Sequence, residues 1–237
     1  MREDLALIID TNSNYSDVWK PCFNRLDKYF PNVKKYVFTD SKENIPEYYT
    51  PIIYDNDASY RNQLLSCLKQ IKEKYIIYTS EDYILYNNVD HEEIENISNT
   101  LDETDHSFCK FIKGPEKTSA FRGNLYEIDP KDGNFFAQQA SVWKTKDFTA
   151  VFDTAPPENT RMQHEPGGSA ICRQLGFTGL QHYSGTKKRG IHHYDSSIFP
   201  CVATAVVKGL WNISEYPQEM TEIIREFKIN VNLRGWR

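Results

Sequence analysis

Four short apolar runs, each ended by a polar loop, limit what this 237-residue chain can become. Leu5-Ala6-Leu7-Ile8-Ile9 is unbroken, the mark of a strand covered on both faces, and it stops at Asp10-Thr11-Asn12-Ser13-Asn14. Tyr36-Val37-Phe38 stops at Thr39-Asp40-Ser41, and Ile52-Ile53-Tyr54 stops at Asp55-Asn56-Asp57. Tyr75-Ile76-Ile77-Tyr78 runs through Thr79-Ser80 into Glu81-Asp82. Helical spacing lies between the runs. Phe23, Leu26 and Phe30 recur behind Trp19, with Pro21 read as a first helical residue. Leu64, Leu65, Leu68 and Ile71 recur in a helix from about Ser59. This alternation predicts parallel β-α-β units with right-handed crossovers, and so an α/β fold with a mostly parallel central sheet and helices on both faces.

The acidic pair is the chemical focus. Ligands of open α/β sheets bind outside the carboxyl ends of the strands, where Glu81 and Asp82 fall. Carboxylates are hard oxygen ligands suited to Mg²⁺ or Mn²⁺ carrying a phosphate. Two acids after a strand also make an ordinary solvated turn.

Composition narrows the class. Hydrophobic residues are 39% and charged residues 26%, ordinary for a globular protein, and the length predicts one domain over residues 1–237. Aromatics reach 14%, which suits stacking surfaces as well as strands. A net charge of -5 gives no broad basic field and argues against nucleic acid as a partner. Five cysteines without a Cys-x-x-Cys pair read as reduced thiols of a cytoplasmic protein with no zinc site. The run at residues 5–9 is too short for a secretory signal, and no run reaches membrane-spanning length.

The second half is less regular, a mixed α+β half. Residues 91–101 predict a polar helix with Ile94, Ile97 and Leu101 inward and Asp90 as its cap. Residues 108–112, 125–128 and 135–137 read as strands, 114–123 as a basic loop, and 145–152 as a short helix. Ala155-Pro156-Pro157-Glu158-Asn159 reads as a hinge-like break. His164-Glu165-Pro166-Gly167-Gly168 precedes an expected helix at 169–175. A polar, basic loop is expected at 181–189, a strand at 202–207 and an amphipathic helix at 215–227. The chain divides near residue 113 into a nucleotide-binding half and an acceptor-binding half.

In order of elements this chain resembles the GT-A class of nucleotide-sugar-dependent glycosyltransferases, over about residues 5–211. Ile8-Ile9-Asp10-Thr11-Asn12 looks like the nucleotide-binding first turn. Tyr60-Arg61-Asn62-Gln63-Leu64 looks like the helix before the metal motif, and Ser80-Glu81-Asp82-Tyr83 like a variant of the family's Asp-x-Asp. Gln139-Ala140-Ser141-Val142-Trp143, followed by His164-Glu165, resembles the acceptor side of small bacterial members.

The resemblance implies a transferase using a nucleotide-diphosphate sugar, UDP favoured over GDP, with Mn²⁺ or Mg²⁺ and a glycan or glycolipid acceptor. Asp82 is the first metal ligand expected and Glu81 the second. His193, beside His192, is a third ligand or a strand-end histidine. Glu165 is the expected base, which would invert the anomeric centre; helix-start acids are also common. Asp10, Thr11, Asn12, Asp40 and Arg61 are expected on the nucleotide, with Lys187, Lys188 and Arg189 closing over its phosphates. Trp143 is core or a stacking platform for the acceptor sugar, and His164 structural or an acceptor contact. The aromatic and basic residues 233–237 touch a lipid surface or fray.

Three other readings compete. A nucleotidyltransferase would carry a Gly-rich, basic loop after its first strand, and Asp10-Thr11-Asn12-Ser13-Asn14 has neither Gly nor Lys. A catalytically silent nucleotide-sugar or carbohydrate-binding module of a glycan assembly complex fits the departure from Asp-x-Asp. A hydrolase fits less well, because its two acids flank the bond from separate positions.

Overall fold

The computed structural model describes residues 2–158, 161–190 and 193–237; for 161–164 and 166 it describes the backbone alone. His192 and Asn159 lie outside the described residues, as does the side chain of His164.

The first part of the chain holds β1 (Leu5–Asp10), a 3₁₀ turn (Ser13–Tyr15), α1 (Ser16–Tyr29), β2 (Lys34–Thr39), β3 (Thr50–Ile53), α2 (Tyr60–Leu68) and β4 (Tyr75–Ser80). There follow β5 (Ile84–Leu85), α3 (His91–Glu103), β6 (Phe108–Lys110), β7 (Thr118–Arg122), β8 (Leu125–Ile128), β9 (Ser141–Lys144), α4 (Thr145–Thr154) and α5 (Arg161–Gln174). The last part holds β10 (Gly179–His182), β11 (Lys188–Arg189), β12 (His193–Tyr194), β13 (Cys201–Val202), β14 (Val206–Val207), β15 (Leu210–Trp211), α6 (Pro217–Phe227) and α7 (Val231–Arg234).

Among the described residues, one nine-stranded sheet runs in the order β3-β2-β1-β4-β9-β6-β10-β8-β7. Only β9 and β8 run against the other seven strands. The chain is therefore a single α/β domain built on a mostly parallel mixed sheet. Alternation along β1 sends Leu5, Leu7 and Ile9 to one core and Ala6 and Ile8 to the other. Helices α1, α3 and α6 supply the first core, through residues such as Trp19, Ile97 and Met220. Helices α2, α4 and α5 supply the second, through Leu64, Phe148 and Cys172.

Asp90 caps α3 as its type predicts, accepting from the Glu93 N–H at 3.0 Å. Elsewhere the elements depart from expectation. α1 starts at Ser16, so Pro21 lies inside it and costs one i→i−4 hydrogen bond near the helix start. The loop expected at 114–123 contains strand β7, and Phe135-Phe136-Ala137 forms no strand. The apolar run at 202–207 is broken in two by Thr204, whose φ is +66°. Helix α5 begins at Arg161 and runs through Pro166-Gly167-Gly168. Gly168 is needed for close approach, not for breaking the helix: a Cβ there would lie 2.5 Å from the Phe136 ring. Gly179 is the parallel case on β10. Its Cβ would sit 2.2 Å from Phe108, whose ring stacks on Trp143 at 4.1 Å.

Candidate active site

Strand order places the site. From β1 the chain steps outward to β2 and β3, then returns to lay β4 on the other side of β1. Such a reversal leaves a crevice beyond the carboxyl ends of the two central strands, the usual ligand position of open α/β sheets. Asp10 is paired with Ser80 at these ends, so Thr11-Asn12 and Glu81-Asp82 leave the sheet side by side.

The residues after β1 divide between frame and surface. Asp10 is 2% exposed, and its Oδ2 accepts from the Tyr78 hydroxyl at 2.7 Å and the Tyr60 hydroxyl at 3.0 Å. Thr11 is buried too; its Oγ1 accepts from the Trp19 indole at 2.7 Å and its carbonyl from the Tyr54 hydroxyl at 2.7 Å. Both side chains brace the loop. Asn12 is half-buried and lies against Tyr54 and Asn56 at 3.3 and 3.1 Å. Asp40 ties β2 to this loop, accepting from the Ser13 N–H at 2.6 Å and the Ser13 hydroxyl at 2.7 Å. Burial pushes its carboxyl up, but the Ser13 donors outweigh this and hold it below the usual carboxylate range.

After β4, Glu81 is buried at 4% exposure and Asp82 is half-buried. The Asp82 carbonyl accepts from the Ala205 N–H at 2.8 Å, which ties this turn to the segment before β14. Tyr83 is buried, and burial first, then the neighbouring Asp82 carboxylate, push its phenol well above the usual range. It also lines a pocket of about 500 Å³ with Gln139, Glu165, Lys188, His193 and Tyr194. Glu165 is exposed there, and its Oε1 accepts from the Gln138 N–H at 2.7 Å. A larger cavity of about 710 Å³ opens at the amino-terminal end of β4, beside Lys74 and Thr145. That is the wrong end of the sheet for the ligands of this fold.

Several of the expected site residues have partners inside the fold. Trp143 is 1% exposed between Phe108, Phe136 and Phe148, so its ring has no face left for a sugar. Arg61 donates to the carbonyls of Phe152 and Asp153 at 2.9 and 2.8 Å, which commits it to the last turn of α4. Arg189 donates to both Asp195 oxygens at 3.0 Å and to Glu219 at 2.7 Å, so its charge is matched within the protein. Lys187 is exposed, and Lys188 is the cation of the expected loop that reaches the pocket. Glu165 occupies the fifth position of α5, past the N-terminus where the glycine pair suggested it would sit. The His193 Nδ1 lies 3.9 Å from Glu215.

Among the described residues no group of three or more His, Cys, Asp and Glu side chains is gathered for a metal, so His193 does not join Glu81 and Asp82. Two adjacent carboxylates still fit Mg²⁺ or Mn²⁺ that arrives on a diphosphate, since such ions keep most of their shell from phosphate and water.

Two site features escaped the sequence reading. Tyr60 and Gln138 link the halves: the Gln138 side-chain amide donates to the Tyr60 hydroxyl, which bonds Asp10, while the Gln138 N–H holds Glu165. No sequence signal marks this pairing. The second is Lys110, 1% exposed at the carboxyl end of β6, which donates to the Asn134 carbonyl. Burial pushes its amine down to about 7, against the opposing pull of Glu165 and Asp132. A lone cation inside Phe108-Cys109-Lys110-Phe111-Ile112 was the available signal.

No family model and no curated protein sequence matches the chain. Solved structures do. CMP:2-keto-3-deoxy-manno-octonic acid synthetase complexed with CTP is 10% identical, with a TM-score of 0.50 over 79% of this chain and 92% of that one. The mannosyltransferase of Pyrobaculum calidifontis in complex with GDP-Man and Mn²⁺ is 11% identical, with a TM-score of 0.50 over 80% of this chain and 59% of that one. Bifunctional IspDF of Campylobacter jejuni is 14% identical, with a TM-score of 0.47 over 82% of this chain and 52% of that one. The chain thus spans about half of IspDF and under two thirds of the mannosyltransferase. What the synthetase and the mannosyltransferase share with this chain is the fold.

Proposed function

We propose that this chain is a glycosyltransferase that moves a sugar from a nucleotide-diphosphate sugar to a glycan or glycolipid acceptor. The observation that supports it most is the acidic turn Glu81-Asp82 at the crevice between β1 and β4, next to a pocket that carries Glu165. The nucleotide would lie across Asn12, Ser13 and the ends of β1 and β2. Asp82, with Glu81 behind it, would hold a divalent ion on the diphosphate; such an ion neutralises charge building on the leaving group. Glu165 would take the proton of the acceptor hydroxyl as its oxygen bonds to the anomeric carbon. The bond from that carbon to the diphosphate breaks, and the nucleoside diphosphate leaves. Attack from the face opposite the nucleotide inverts the centre. Lys188 is the cation nearest to hand in the pocket.

The test is thermal stabilisation by UDP and by GDP, each with and without Mn²⁺, since a ligand of the folded state raises the midpoint by mass action. A metal-dependent shift with one nucleotide, lost in Asp82→Ala, is expected. Glu165→Gln should keep that shift and lower turnover on the donor so identified at least ~100-fold. No shift with any nucleotide would overturn the reading.

A second reading, a silent nucleotide-sugar or carbohydrate-binding module, draws on the commitment of Arg61 and Arg189 to internal partners. It predicts the same shift with no turnover on any donor.

A further inference from the structure

Of the six large hydrophobic side chains exposed among the described residues, three belong to one small substructure: Leu210 at 37%, Leu233 at 86% and Trp236 at 61%. The other three, Tyr48, Ile53 and Phe121, are dispersed along the chain. The substructure is a clasp between the β14–β15 hairpin and the segment 228–237. Trp211 N–H donates to the Gly235 carbonyl at 3.0 Å, and Arg237 N–H returns to the Trp211 carbonyl at 2.9 Å. Ile213 N–H adds a bond to the Arg237 carbonyl at 3.1 Å. Gly235 lies so close to Leu210 that a Cβ would meet its Cδ2 at 2.9 Å. Arg234 sits over the Tyr15 and Trp211 rings at 5.0 and 6.0 Å and bonds Asp17 of α1 at 3.0 Å. These backbone bonds hold the clasp together with Leu233 and Trp236 on its outside.

Within the two segments that form the clasp, the charged side chains have one sign. Residues 228–237 carry Lys228, Arg234 and Arg237 and no acid, and residues 205–214 carry Lys208 and no acid. Arg234 is matched by Asp17, while Lys208, Lys228 and Arg237 are exposed. This is a local cationic surface on a chain whose net charge is -5. Apolar and indole side chains set among lysines and arginines suit the boundary of a bilayer with anionic headgroups: the rings enter the interface and the cations meet phosphate. The same cations would be unwelcome in a second copy of this surface, which would oppose like charge to like charge.

We propose that the surface formed by Leu210, Leu233, Trp236, Lys208, Lys228 and Arg237 docks this protein on an anionic lipid surface. The Asn212 N–H, just past β15, donates to the Ala205 carbonyl and the Ala205 N–H donates to the Asp82 carbonyl, both at 2.8 Å, so the docking surface is tied to the acidic turn and would bring the candidate active site to the membrane face. The proposal does not depend on the transferase reading, and either can fail alone.

The experiment is cosedimentation with vesicles of phosphatidylcholine alone and of phosphatidylcholine with phosphatidylglycerol, at low and high salt. The chain should follow the anionic vesicles, release with salt, and lose at least about tenfold in binding in the Leu233→Ser, Trp236→Ser double variant. Trp19, Trp143 and Trp211 are buried, so a vesicle-dependent blue shift of tryptophan emission reports on Trp236 and should vanish in the variant. Stabilisation of that variant by nucleotide should equal the parent's, which separates a failed docking surface from a failed donor site. No binding to anionic vesicles overturns the proposal, as does equal binding by the variant. A parent dimer that dissociates in the variant would assign the surface to a second copy and overturn it too.

Discussion

Lys110 spends its length inside the second core and ends on a main-chain carbonyl, at the edge of the sheet that faces the pocket. A lysine ordinarily titrates near 10.5, and burial brings this one to about 7. Between those values the unfolded chain binds a proton that the folded chain does not, so this group's contribution to stability rises with pH through that window. Below about pH 7 the folded protein carries a buried charge and the full penalty. Lys110→Met removes the titration. Urea midpoints measured from pH 6 to 10 should rise less steeply in the variant than in the parent, with the variant favoured most at the acid end, by an amount on the order of 1–3 kcal/mol. Parallel slopes would show that the amine is solvated and free to stay charged. Trp143 makes the opposite point about burial. Its sequence context allowed either a core ring or a sugar platform, and only contact with Phe108 and Phe148 decides for the core.

At the scale of elements, α4 is finished by a side chain from α2. The last carbonyls of a helix have no partner within it, and Arg61 supplies one to Phe152 and Asp153. In Arg61→Met those carbonyls turn to water, and the lost charged donors should destabilise the fold by about 1–2 kcal/mol. Chemical denaturation reads that loss. Thermal shift with the nucleotide that binds the parent should be unchanged in size, whereas an arginine on the diphosphate would take most of the shift with it. The β-α-β elements themselves were legible, since continuous apolar runs mark doubly covered strands and helical spacing marks their crossovers. α3 and its cap were legible for the same local reason. α5 was not. Pro166-Gly167-Gly168 reads as a break by backbone propensity, yet Phe136 demands a residue without a side chain at Gly168 and the helix runs on.

Across the whole molecule, Asp10, Tyr60, Gln138 and Glu165 form one hydrogen-bonded chain from β1 to α5. It joins the half that holds the acidic turn to the half that holds the proposed base. Tyr60→Phe removes the hydroxyl in the middle and keeps the ring against Phe152. With the Gln138 amide released, Glu165 loses its fixed position, and kcat should fall about tenfold while the donor KM stays within about twofold. The thermal midpoint should move little, because Asp10 keeps the Tyr78 hydroxyl. A change confined to KM would place the chain's role in donor binding instead. What the sequence alone determined is local and periodic: which runs are strands, that they end in polar loops, and that Glu81-Asp82 follows the fourth. The tertiary structure alone decided the order β3-β2-β1-β4, and with it the crevice, because strand order depends on contacts far apart in sequence. It also decided which charges remain for chemistry. Arg61 and Arg189 look as available in the sequence as Lys188, but the carbonyls at the end of α4 engage Arg61, the nearby Asp195 and the Glu219 of α6 engage Arg189, and Lys188 is left in the pocket.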